Sequence, residues 1–117
     1  MVNKFTFWLE SIVEDDPLPD EINSILFKVD KNGGYKFIKL LGYSGVPNVN
    51  KIAYFPLEAQ FFLDHTLAKQ PTDKFLFNAK YIIEECFNSL ILKKQFKGKK
   101  IYFQFNNVVE YLFKINQ

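Results

Sequence analysis

Apolar and polar positions alternate near the start of the chain: Phe5, Phe7 and Leu9 stand against Thr6, Trp8 and Glu10. A period of two is the mark of a half-buried strand, and it predicts a first strand over 4–13. The stretch that follows, Glu14-Asp15-Asp16-Pro17-Leu18-Pro19-Asp20-Glu21, is charged and punctuated by proline, so it reads as a loop. Residues 22–30 carry both periods. Ile22, Ile25, Leu26 and Val29 recur at helical spacing, while Ile25, Phe27 and Val29 alternate. Asp30-Lys31-Asn32-Gly33-Gly34 tips the balance, because Asn and Gly tolerate the positive φ angles of tight turns. The preferred reading is a hairpin of 22–30 with 35–43, and a helix over 22–30 is its rival.

Gly42 to Asn50 reads as loop and Lys51 to Phe55 as a short strand. Pro56 suits the first position of a helix, where its missing N–H costs nothing. Ala59, Leu63 and Leu67 would share one face of a helix over about 57–69; the alternative continues the strand through Phe61. Next comes the strongest pattern. Thr72 or Asp73 supplies an N-cap, and Phe75, Leu76, Ala79, Ile82, Ile83, Cys86, Phe87 and Leu90 form one apolar stripe. They predict one long helix over about 73–95. Lys93, Lys94 and Lys97 meet the negative end of its dipole, and Gly98 stops it. Lys99 to Phe105 alternates as a strand, which Asn106-Asn107 can turn into a last strand through Ile115. That register sets Glu110 opposite Phe103 on the core side. A short helix over 108–115, capped by Asn107 with Glu110 three residues later, is the rival.

These elements predict an α+β fold in a single domain spanning 1–117: an antiparallel sheet of about five strands packed against one long helix (about 73–95), with a second helix over about 57–69. Composition supplies the core, at 48% hydrophobic and 18% aromatic residues. The lone cysteine, Cys86, has no intrachain partner for a disulfide. No apolar run reaches the length of a leader or a membrane span. A cytoplasmic protein without membrane association is expected. All 15 basic residues are Lys, and the net charge is only +2. A Lys ammonium lacks the two-pronged grip of a guanidinium on phosphate, which argues against base-specific recognition.

Candidate chemistry is sparse. His65 and Cys86 are single copies, and a small hydrolase would need the fold to bring them together. Cys86 on the apolar stripe reads as a buried hydrophobe. No His or Cys pair has zinc spacing, the acids of 10–21 do not follow a calcium loop, and the glycines do not form a phosphate loop. No metal and no cofactor is expected. Five lysines in the eight residues 93–100 run into an aromatic strand. Lys97, Lys99, Lys100 and Tyr102 are therefore the candidates for single-stranded nucleic-acid binding. Only Lys97-Gly98 is in register with the RNA-recognition strand motif, and Lys99, Lys100 and Gln104 stand where small and stacking residues belong. Nucleic acid thus ranks below a protein partner.

Phe77, Tyr81 and Leu92 fall outside the stripe of the long helix, among Lys74, Asn78, Glu84, Glu85 and Asn88. Phe77 and Tyr81, at i and i+4, form one patch, and a Phe ring left in water forgoes on the order of 2 kcal/mol of burial. A cover is expected: a second subunit, or the chain's own 57–69 segment or a loop. These three residues are the candidate interface, with a dimer preferred over an intramolecular cover, and the partners expected are a second copy or an unidentified protein. Leu18-Pro19 followed by Asn32-Gly33-Gly34 resembles the helix-and-turn signature of SUKH-type toxin-immunity proteins, over less than a fifth of the chain. That resemblance implies an immunity-type role. The expected function is a small non-enzymatic cytosolic protein–protein interaction module: an adaptor, an inhibitor or an immunity-type protein.

Overall fold

The computed structural model describes residues 1–47, 52–54 and 60–116. The elements run α1 (Val2–Asp15), β1 (Ser24–Asn32), β2 (Tyr35–Tyr43), β3 (Ile52–Tyr54), β4 (Gln60–Phe62), α2 (His65–Ala68), α3 (Thr72–Cys86), α4 (Leu90–Gln95), β5 (Lys100–Phe105) and β6 (Val108–Lys114). The strands form one sheet in the order β3-β2-β1-β5-β6, and β4 shares the outer side of β2 with β3. The α+β class is as expected, and the sheet is antiparallel except where β5 lies parallel to β1. A parallel neighbour needs a long crossover, and the α2–α4 segment lies within it.

Residues 4–13 are not a strand but the middle of α1. Phe5, Leu9 and Val13 satisfy both periods, since every fourth residue returns to the same side of a helix and of a strand alike. Phe7 separates the two: it belongs to the inner row only in a strand, and it is 72% exposed. Tertiary contacts settle the choice. The Phe5 ring meets Trp8 at 5.3 Å and Phe61 at 5.2 Å, an arrangement that brings i and i+3 together as only a helix does.

The hairpin of β1 and β2 forms as preferred, pairing Ser24 with Tyr43 through to Asn32 with Tyr35. Gly33 sits at its turn with φ +64°, where a side chain would be strained. β3 forms within the expected 51–55 strand. The expected helix over 57–69 is replaced, within the described residues, by β4 and the four-residue α2; 55–59 lie outside them. Phe61 and Phe62 explain the change. Phe61 packs on Phe5 and Trp8, whereas Phe62 packs on Phe37 at 5.6 Å across the β2–β4 pair. Successive side chains on opposite faces are what a strand provides. Asp64 then caps α2, its Oδ1 accepting from the Thr66 amide at 2.8 Å.

The long helix over 73–95 is broken into α3 and α4. Ser89 makes the break by capping α4, its Oγ accepting from the Leu92 amide at 3.2 Å. Restarting the helix rotates its phase: Leu92 and Phe96 are fully buried, while Leu90, assigned to the stripe, is 79% exposed. Gly98, at φ +80°, ends the segment as expected. The last two strands form the preferred hairpin rather than the rival helix, with Asn106 at φ 58° in its turn and Phe103 facing Glu110.

All four helices among the described residues contribute to one core, which includes Phe5, Phe27, Phe75, Leu92 and Ile101. A second, smaller cluster of Leu26, Leu41 and Tyr43 lies on the other side of the sheet and takes its buried members from strands alone. No helix among the described residues is long and apolar enough to cross a membrane.

Candidate interaction surface

Helix α3 buries one face and offers the other. Phe75, Ala79, Ile82, Ile83 and Cys86 point into the core, while Phe77 is 70% and Tyr81 49% exposed. A spacing of four residues keeps both rings on the outer side. The Tyr81 hydroxyl donates to Glu85 Oε1 at 3.2 Å. The charge of that carboxylate, with the hydrogen bond, pushes the phenol above its ordinary pKa of 10.0. A depression of about 470 Å³ beside these rings is lined by Asp73, Leu76, Phe77, Lys80, Tyr81 and Glu84.

A second hollow, of about 220 Å³, lies between α3 and the β5–β6 hairpin, with Leu76, Phe103, Phe105 and Val108 among its walls. Lys80 of α3 and Glu110 of β6 meet at its rim at 2.5 Å, and the Lys80 ammonium lies 5.8 Å from the centroid of the Phe103 ring. The conflict set up by Glu110 facing Phe103 is resolved here. β6 is an edge strand, so the carboxylate stays partly in water and finds a cation on the helix above it.

The candidate interface loses one member. Leu92 is fully buried, because the Ser89 cap turns α4 so that this side chain enters the core. Phe77 and Tyr81 remain. Neither is covered by the described part of the 57–69 segment, though Tyr81 borders a shallow hollow shared with Thr66 and Leu67 of α2.

The lysine candidates separate as well. Lys97 and Lys100 are exposed, but the Lys99 ammonium donates to the carbonyl of Ile22 and ties β5 to the approach to β1. Tyr102 is half-buried on the side of the sheet that carries Leu26, Leu41 and Tyr43, its ring 5.4 Å from that of Tyr111. The β5–β6 register adds Tyr111 beside Tyr102 and Lys114 beside Lys100. Neither addition was legible as part of the 93–105 cluster, because the hairpin that imports them lies beyond it.

His65 and Cys86 occupy separate environments. His65 is exposed at the head of α2, its ring centroid 6.5 Å from that of Tyr35. Cys86 is fully buried, and its Sγ donates to the Ile83 carbonyl at 3.0 Å. Burial first, and the nearby Glu10 carboxylate second, push its thiol well above the ordinary range. A thiol held protonated is a poor nucleophile. Among the described residues, no three His, Cys, Asp or Glu side chains gather as a metal site would require. Compared with protein-family models, with curated proteins and with solved structures, the chain matches none.

Proposed function

We propose that this protein is a non-enzymatic protein–protein interaction module that engages its partner through the outer face of α3. The exposure of Phe77 and Tyr81, 70% and 49%, on a helix whose inner face is buried carries the reading. Large aromatic side chains are depleted on ordinary surface and enriched where proteins meet. The adjacent depression at Leu76, Lys80 and Glu84 adds relief into which a partner's side chain fits. An adaptor, an inhibitor and an immunity-type protein all use such a face, and a cytoplasmic setting suits the single free thiol. The test places a photo-crosslinking phenylalanine analogue at position 77 in the native cell, with a second protein carrying it at position 107, in the β5–β6 turn, as control. A discrete protein adduct from position 77 alone is expected. Irradiation that gives no adduct, or the same adducts from both positions, overturns the reading.

One observation favours a second reading, single-stranded nucleic-acid binding on the opposite side of the sheet. The β5–β6 register sets the Tyr102–Tyr111 ring pair beside the cations Lys100 and Lys114, which combines stacking platforms with a basic rim. Anisotropy of a labelled oligonucleotide tests it. Submicromolar binding at physiological salt, lost in Lys100→Glu with Lys114→Glu, supports this reading, and weak binding indifferent to those changes ends it.

A further inference from the structure

The outer row of α3 reads Lys74, Phe77, Tyr81 and Glu84, spaced three, four and three residues apart. That alternation keeps a row along one side of an α-helix and is the spacing by which two helices mesh. Every member of the row is exposed. The row is also self-complementary about its midpoint between Phe77 and Tyr81. Outward from that point, aromatic matches aromatic and Lys74 matches Glu84.

Two-fold pairing sets residue i of one chain against j of the other, and j against i. With two copies of α3 laid antiparallel, Phe77 of each faces Tyr81 of the other, and Lys74 of each faces Glu84 of the other. Laid parallel, they would set Lys74 on Lys74 and Glu84 on Glu84, so the charges select the antiparallel arrangement. The depression at Asp73, Leu76 and Lys80 flanks the row and gives the incoming rings a place to settle.

We infer that the outer face of α3 is a homodimer interface, in which α3 packs antiparallel on α3 of a second copy with reciprocal Lys74–Glu84 pairs bracketing an aromatic centre. The inference rests on the reading of this face as a protein-binding surface, and adds its occupant and register.

Charge exchange tests it. Lys74 and Glu84 are both exposed, so Lys74→Glu and Glu84→Lys leave the core intact. Each change alone sets two like-charge pairs in the dimer and weakens it on the order of tenfold, read by sedimentation or light scattering. Mixing the two variants restores a dimer, because every pair in the mixed species is again of opposite sign. On the native protein, zero-length carbodiimide coupling is expected to join Lys74 of one chain to Glu84 of another. Within one chain these residues stand about 15 Å apart along α3, beyond a direct bond. A native mass of 13.8 kDa at tens of micromolar overturns the homodimer. So does a mixture that associates no better than its components. If the chain is monomeric while the crosslinker at position 77 still captures a different protein, the homodimer is wrong and the interaction-module reading stands.

Discussion

The Ser89 hydroxyl donates to Glu10 Oε2 at 2.5 Å, and so fastens the cap of α4 to the side of α1. The same oxygen accepts from the Leu92 amide, which makes one side chain responsible for both the break after α3 and the docking of α1. Ser89→Ala removes a helix cap and leaves a half-buried carboxylate without its donor. A loss of about 1–2 kcal/mol is expected. Urea unfolding measures it, with Ser89→Asn expected to retain more stability than Ser89→Asp, whose charge would face Glu10. A loss of only a few tenths in Ser89→Ala would show that the cap does not hold the break.

Gly42 of β2 pairs with Tyr54 of β3 with no room for a side chain. A Cβ there would lie 2.7 Å from Tyr54 Cβ and 3.1 Å from Ile22 Cγ2. Tyr54 has little room to retreat, since its hydroxyl donates to the Asp16 carbonyl at 2.5 Å. Gly42→Ala is expected to destabilise by about 1–3 kcal/mol, the usual cost of overpacking. Gly34→Ala, which meets no atom within 4 Å, is the control and should change stability by no more than about 0.5 kcal/mol. Equal effects at the two positions would contradict this packing.

Cys86 gives the stability of the fold a pH dependence. Burial, with Glu10 nearby, raises its pKa from 9.0, so the folded chain keeps a proton that the unfolded chain releases. The stabilisation is fully present below pH 9 and is lost as pH rises above it, at up to about 1.4 kcal/mol per pH unit for one group. Tyr54 and Tyr43, raised from 10.0 chiefly by burial, steepen the decline above pH 10. Melting temperatures between pH 7 and 11 measure the curve, and Cys86→Ala should flatten it between about 9 and 10. Thiol reagent at pH 7 should modify native Cys86 slowly and the denatured chain quickly. Equal rates would mean that the thiol is accessible in the fold.

Phe77 and Leu92 make a paired test of surface against core. Phe77→Ala removes an exposed ring and should cost no more than about 0.5 kcal/mol in the monomer. Leu92→Ala opens a cavity at a fully buried site and should cost about 2–5 kcal/mol. Chemical denaturation of both variants at low protein concentration separates the two. Comparable losses would place Phe77 in the subunit's own core and remove the exposed face on which the proposed function depends.

Features under local chemical control are readable along the chain. The β1–β2 hairpin was legible because Asn32-Gly33-Gly34 accepts a positive φ where few other residues would, and the β5–β6 hairpin followed likewise from Asn106-Asn107. The inner face of α3 followed from its 3.6-residue stripe, and the outward setting of Phe77 and Tyr81 from the same projection. Long-range packing chooses between patterns that local chemistry leaves equivalent. Phe5, Leu9 and Val13 fit a strand and a helix equally, and the packing of Phe5 and Trp8 on Phe61, more than fifty residues away, makes them helical. Leu92 moved from candidate interface to core because the Ser89 cap restarts the helix, and the same hydroxyl reaches Glu10 across 79 positions of chain. Tyr111 and Lys114 joined Tyr102 and Lys100 only once a strand register existed to align them. Turns and stripes act within a few residues and can be read along the chain; helix breaks, burial phase and partnered surfaces depend on which distant side chain fills the neighbouring space.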